Sequence, residues 1–215
     1  MMDYRIVVIG GGGHAAVVID ALRAGGADIQ GLCDPALKRG AAGPLEVPVL
    51  GGDEAIEGMD PARVRLVNGI GSVGSTERRA KVFADFKARG FCFATVLHPS
   101  AIVARDVEIG EGGQVMAGSV IQTGARIGDN AIVNSAASID HDCTIGEDAH
   151  IAPGVVLSGN VAVGAGAHLG TGARVIQGVT IGRGAIVGAG VVVLDDVPDG
   201  KVLRPADGLV WGGKR

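Results

Sequence analysis

An α/β unit followed by a parallel β-helix is the architecture this sequence predicts, and three observations predict it. Residues 97–198 divide into 17 consecutive six-residue units with no insertion, and the first position of every unit is Leu, Ile or Val, from Leu97, Val103 and Ile109 to Val187 and Val193. The fifth position is never large or charged, as Ala101, Ala125, Ala137, Cys143, Ala167 and Ala185 illustrate. Ahead of the repeat, the apolar run Arg5–Ile9 leads into Gly10-Gly11-Gly12-Gly13-His14 and then a helical pattern. Self-similarity at a fixed period marks a repeat architecture and outranks local signals.

A period of six fits one short strand and one turn per unit. The aliphatic residue points into a narrow core, and the small residue sits where the chain bends. Three units make one coil of a triangular prism, so residues 18 apart stack. Gly follows the aliphatic residue in Ile109-Gly110, Ile127-Gly128, Ile145-Gly146, Val163-Gly164 and Leu169-Gly170, where it is expected to supply corner backbone angles. Amphipathic helices do not fit. Their burial needs a period near 3.6, and 38 glycines would be costly inside them. The expected divisions are residues 1–96, the repeat at 97–198 and a tail at 199–215.

Composition narrows the function. Aromatic residues are only 3% of the chain, which suits a core too thin for rings. The net charge is −4 with no basic run, which argues against a nucleic-acid partner. No apolar run approaches the ~20 residues of a membrane span, and no charged leader with a cleavage site opens the chain. Cys33, Cys92 and Cys143 are odd in number and unpatterned, so a reducing cytoplasm is expected rather than a disulfide framework.

In the first 96 residues, strand Arg5–Ile9 and a Gly-rich turn precede a helix over 15–24. A second strand, Ile29–Cys33, ends in Asp34. A third, Val64–Val67, runs into Asn68-Gly69-Ile70-Gly71-Ser72. A helix over Thr76–Arg89 turns Val82, Phe83 and Phe86 to one side, and a last strand spans Phe91–Val96. This is a Rossmann-like order. Amides at the helix start suit a phosphate, and Asp34 lies about where such a unit reads a ribose hydroxyl. Three readings stay open: a dinucleotide site, a truncated unit holding a nucleotide-sugar diphosphate, and a purely structural turn. Fewer than 100 residues supply only about one of the two halves a dinucleotide fold needs, which favours the second.

The repeat carries three histidines. His141 stands in Ile139-Asp140-His141-Asp142-Cys143, at the outward third position of its unit, flanked by two carboxylates. Histidine is the usual base near neutral pH, and a hydrogen-bonded carboxylate strengthens it. Neighbours on a strand point to opposite sides, so His141 meets Asp142 only if a corner bends there. A solvated surface histidine is the alternative. His150 lies nine residues on. His168 lies 18 beyond His150 and reads as a residue of a surface column. Cys143, at a small fifth position, is expected to point inward, which argues against an acyl-cysteine route.

Taken together, Ile9-Gly10-Gly11-Gly12-Gly13-His14, Cys33-Asp34, Gly69-Ile70-Gly71 and His141-Asp142-Cys143-Thr144-Ile145-Gly146 with His150 beyond carry a resemblance over the whole chain. It resembles the bacterial nucleotide-sugar N-acetyltransferases of the sialic-acid O-acetyltransferase-like hexapeptide family. The resemblance implies a left-handed β-helix, a homotrimer, and transfer from acetyl-CoA to the 4-amino group of a UDP- or GDP-linked dideoxy sugar. It also implies His141 as general base supported by Asp142, where relatives often have Glu. Coenzyme contacts fall on His150, Thr171 and Ala189, and nucleotide contacts on Gly12, Gly13, His14, Asp34 and Gly71. No metal and no covalent intermediate is required. Pro35 departs from relatives with a second Asp there. The tail, Leu203-Arg204-Pro205-Ala206-Asp207 with Trp211 and Lys214-Arg215, departs from a Gly-x-Pro-Ala ending. Two rivals are O-acetylation of a sialic-acid-type sugar and a non-catalytic scaffold that binds nucleotide sugar.

Overall fold

The structure, a computed structural model, describes residues 4–205. In chain order the N-terminal unit comprises β1 (Arg5–Ile9), α1 (Gly13–Ala24), β2 (Ile29–Cys33), β3 (Val49–Gly51), α2 (Asp53–Glu57), β4 (Val64–Asn68), α3 (Glu77–Ala88) and β5 (Cys92–Phe93). The strands form one parallel sheet in the order β3-β2-β1-β4-β5. Both faces are covered, so β1 reads as a continuous apolar run. Ile6 and Val8 pack with Val18, Ile19 and Leu22 of α1, while Val7 and Ile9 pack on the opposite side with Ile56, Phe86 and Phe91. The strand order reverses between β1 and β4. Open α/β sheets bind ligands outside the carboxyl ends of their strands at such a reversal. The Gly10–Gly13 turn and the Gly69–Gly71 loop leave the sheet there.

Two elements were not expected: β3 and α2 are short, with three and five residues. The strand expected over Phe91–Val96 is divided. Cys92–Phe93 completes the sheet, whereas Val96–Leu97 pairs with Gln114–Val115 and starts the prism.

The prism has three parallel faces. The first consists of Val96–Leu97, Gln114–Val115, Ile132–Val133, His150–Ile151, His168–Leu169, Ile186–Val187 and Val202–Leu203. The second runs from Ile102–Val103 through Ser138–Ile139 and Val156–Leu157 to Val192–Val193, and the third from Glu108–Ile109 through Thr144–Ile145 to Thr180–Ile181. Partners within the repeat are 18 residues apart, as in Ile121↔Ile139 and Ile151↔Leu169. Val115, Ile139, Ile151, Leu169 and Val187 are fully buried, with Ala125, Ala131, Ala137 and Cys143 beside them. Val202–Leu203 carries the first face past the last unit. Ala206, Asp207, Trp211, Lys214 and Arg215 of the tail lie outside the described residues.

The glycine expectation needs correction. Left-handed backbone falls on the fourth position of 14 of the 17 units, not on the second. Gly112, Gly118, Gly124, Asn130, Ala136, Asp142, Asp148, Gly154 and Asn160 all have φ between 53° and 74°. The second-position glycines answer a different need. A Cβ on Gly128, Gly146 or Gly164 would lie 2.5–2.6 Å from a backbone nitrogen of the next coil. They are glycine because the coils approach there too closely for a side chain.

The three faces differ in cover. The outward residues of the first, Gln114, Ile132, His150 and His168, are buried beneath the N-terminal unit. Arg79 of α3 is 1% exposed; its guanidinium donates to the carbonyls of Asn130 and Asp148. Asn68 at the end of β4 donates to Asn130 Oδ1 at 3.3 Å, and Asn130 donates to Asp148 Oδ1 at 2.7 Å. A buried polar network therefore seats the unit on the prism. The second face is uncovered and largely apolar: Ile102, Val156 and Val192 are 67%, 39% and 54% exposed, with Arg174 the one charged residue among its outward positions. The third presents Glu108, Arg126, Thr144 and Thr180 to solvent.

Candidate active site

A cleft of about 720 Å³ opens where the sheet reversal meets the edge between the first and second prism faces. One wall is the Gly10–His14 turn with Asp34, Gly71, Ser72 and Arg78; the other is Asn134, Ser135, His150, Pro153, His168 and Thr171. Gly12, Gly13, His14, Asp34 and Gly71, expected to contact nucleotide, all line it. So do His150 and Thr171, expected to contact coenzyme. Ala189 sits one coil beyond Thr171 on the same edge, where Gly190 N–H donates to Thr171 O at 2.9 Å; it does not line the cleft.

Local chemistry explains the turn. Gly12 caps α1 with no side-chain bond to the first-turn amides, which are the partly positive end of the helix. A Cβ on Gly12 or Gly13 would meet nothing within 4 Å, so these positions stay open on the cleft side. Asp34 holds the turn: Oδ2 accepts Gly11 N–H at 2.7 Å and Oδ1 accepts Ala36 N–H at 2.8 Å. A Cβ on Gly71 would lie 3.0 Å from His14 Cβ, so glycine lets this loop rest against α1. The Gly13→Val variant should keep its fold yet bind nucleoside diphosphate several-fold more weakly, because the branched side chain occupies the path to the amides. Isothermal titration with GDP and UDP checks this. Unchanged affinity would make the turn purely structural.

His150 is 5% exposed and His168 8%, so His168 is not the surface residue expected from its column. The two stack in register, with ring centroids 5.0 Å apart, and His14 lies 6.5 Å from His150. Burial favours the neutral ring in all three. Burial pushes His150 down to about 3, with His168, Arg79 and His14 adding to the shift. Burial also lowers His14 and, with Arg79, His168.

His141 lies elsewhere, on the edge between the second and third faces. Asp142 takes the left-handed corner at φ 60°, and that bend turns its carboxylate back to His141. Nδ1 and Oδ2 are 2.8 Å apart. The carboxylate only accepts, so Nδ1 carries the hydrogen and Nε2 keeps its lone pair. The bond to Asp142, with the charges of Asp140 and Asp142, raises the imidazole above its ordinary pKa. The ring lies over Gly159 of the next coil, where a Cβ would come within 2.5 Å of Cε1 and Nε2. Cys143 points inward and donates to Ser158 O at 3.2 Å, with its thiol raised by burial.

Three family models match the chain: the PglD N-terminal domain over residues 5–86, the bacterial transferase hexapeptide over 124–159, and the hexapeptide repeat of succinyl-transferase over 169–195. Perosamine N-acetyltransferase PerB from Caulobacter crescentus, solved with CoA and GDP-perosamine, is 44% identical over 92% of this chain and 92% of its own, with a TM-score of 0.83. The chain belongs to the hexapeptide-repeat nucleotide-sugar N-acetyltransferases. The acetyltransferase domain of PglB from Neisseria gonorrhoeae is 35% identical over 92% of this chain and 95% of its own, with a TM-score of 0.86. WeeI from Acinetobacter baumannii is 26% identical over 94% and 97%, with a TM-score of 0.85. No curated protein sequence matches. The prism is accordingly the left-handed parallel β-helix of the family, and the chain is an acyltransferase.

Ser72, Arg78, Asn134, Ser135 and Pro153 escaped the sequence reading. For Ser135 and Pro153 a signal existed: each lies a multiple of 18 before Thr171, hence on the same edge. For Ser72 and Arg78 none did, because the loop after β4 and the start of α3 are placed by the contact between unit and prism. Among the described residues no three His, Cys, Asp or Glu side chains gather as a metal site, and no helix is long and apolar enough to cross a membrane.

Proposed function

We propose that this enzyme transfers the acetyl group of acetyl-CoA to the 4-amino group of a nucleotide-linked dideoxy sugar, with GDP-perosamine the leading candidate, and that it does so as a homotrimer. The observation that carries the reading is the His141–Asp142 pair: an exposed imidazole with Nε2 free and Nδ1 held by a carboxylate at 2.8 Å. An alkylammonium has no lone pair, so a base must take its proton before or as nitrogen attacks the thioester. His141 Nε2 accepts that proton, and Asp142 stabilises the imidazolium that results. The C. crescentus relative supports the substrate, since its structures hold CoA and GDP-perosamine even when a histidine is replaced by Asn or Ala.

The placement of the parts supports the trimer. The cleft and His141 sit on the two edges bounding the apolar second face. Three chains that turn this face toward a common axis bring the His141 edge of one beside the cleft edge of the next. An uncovered apolar face of this kind marks an interaction surface, and cyclic closure satisfies all three copies. Thiol release from acetyl-CoA, measured with GDP-perosamine, a UDP-4-amino sugar and a sialic acid, tests the reading. Turnover of the sialic acid alone would replace it with O-acetylation, and turnover of none would leave a binding scaffold.

A further inference from the structure

Both nitrogens of His150 are occupied within the chain, and its partners fix where each proton lies. Asn134 Oδ1 accepts Ser135 N–H at 2.8 Å, which assigns the Asn134 amide nitrogen to the His150 side. Asn134 Nδ2 donates to His150 Nε2 at 3.2 Å. Nε2 is therefore the bare nitrogen, and Nδ1–H donates to Ser72 Oγ at 2.6 Å. Ser72 accepts this bond and keeps its own hydroxyl proton, which has no acceptor among the described residues. A hydroxyl that lines the cleft and already accepts one hydrogen bond is a donor toward whatever fills it.

His14 is fixed in the opposite sense. Gln114 Nε2 donates to Asn68 O at 2.7 Å, a carbonyl that can only accept, so Gln114 turns Oε1 toward His14. His14 Nε2–H donates to that oxygen at 2.8 Å. Its Nδ1 then carries only a lone pair and has no partner among the described residues. Gln114 is fully buried and cannot flip without stranding Asn68 O.

The cleft wall thus offers one neutral donor and one neutral acceptor on adjoining residues. A phosphate oxygen suits Ser72 but is repelled by the lone pair of His14. A hydroxyl group suits both, because it accepts and donates at once. We infer that Ser72 and His14 together receive a hydroxyl of the substrate's sugar ring, which leaves the diphosphate to the α1 amides; this rests on the nucleotide-sugar reading above. His150 then acts as a positioning residue that orients the Ser72 hydroxyl.

Calorimetric titration of the intact protein with GDP and with GDP-perosamine tests this, alongside KM for acetyl-CoA. The wild type should bind the sugar nucleotide more tightly than GDP. Ser72→Ala should weaken GDP-perosamine about 3–10-fold, the size of one neutral hydrogen bond, while GDP affinity and the acetyl-CoA KM stay as they were. His14→Phe should remove the same sugar-dependent increment, and the double variant should lose little more than either single one. Equal weakening of GDP would place Ser72 on the nucleotide and overturn the inference, as would a change confined to acetyl-CoA. A wild type that gains nothing from the sugar would also overturn it. Sugar-dependent binding of this pattern without any acetyl transfer would uphold the hydroxyl pocket and sink the reaction reading alone.

Discussion

The His141→Asn variant is expected to lose about 10²–10⁴-fold in kcat, the usual contribution of a general base, with little change in KM for either substrate. Its imidazole stands on an edge outside the cleft, so its removal leaves the cleft lining untouched. The pH dependence gives the sharper test. Catalysis needs the neutral ring, and the Asp142 bond raises its pKa, so the wild-type rate falls as pH drops through that raised value. Asp142→Asn removes the leading cause of the shift. Its acid limb should move to lower pH, and its kcat should fall less than that of His141→Asn. In His141→Asn the limb should disappear, leaving only the titration of the substrate amine. Profiles of kcat against pH for the three proteins decide the matter. A near-wild-type His141→Asn enzyme would remove His141 from the mechanism.

An arginine at position 156 should be nearly as damaging, although Val156 touches neither cleft nor base. Val156 lies mid-way along the uncovered, largely apolar face at 39% exposure, beside Arg174, and Val156→Arg would set a second cation against Arg174 in each of the three chains around the proposed axis. Light scattering should show monomers, GDP binding should persist, and acetyl transfer should drop by about the factor that loss of the base costs. Complementation addresses the shared site directly. Coexpressed His141→Ala and Gly13→Val chains should recover sites with the wild-type KM for sugar nucleotide and near-wild-type turnover, a combination neither variant has alone, because roughly one site in four of a random closed trimer pairs an intact cleft with an intact histidine. No recovery would mean that each site belongs to a single chain, and an active monomeric Val156→Arg protein would dismiss the trimer.

The prism was the most legible part of the chain because its rule is local and repeated: one aliphatic residue in six, with a small neighbour inside the corner. The reason for the glycines was not legible. Gly128 and Gly146 look like bend residues in sequence, and only the spacing between coils reveals that they are contact residues. The His141–Asp142 pair was readable as a pattern but conditional on a bend, which Asp142 supplies with its own left-handed backbone. His168 was misjudged because whether a prism face meets solvent depends on what folds onto it, and the six-residue period carries no information about that. The Arg79 network and Ser72 were hidden for the same reason: their partners are more than 50 residues away.

Stacking at intervals of 18 residues turns sequence position into an angular address. Adding or deleting 18 residues in the prism changes its height by one coil and returns every later side chain to its own edge. A change of six keeps the core pattern intact, with aliphatic residues still pointing inward, yet rotates everything downstream by one face. Six residues inserted between His141 and His150 would fold without complaint and carry His150, His168 and Thr171 away from the Gly-rich turn. Length variation in such a chain should therefore be quantised: whole coils are tolerated, and thirds of a coil preserve the fold while dismantling the site.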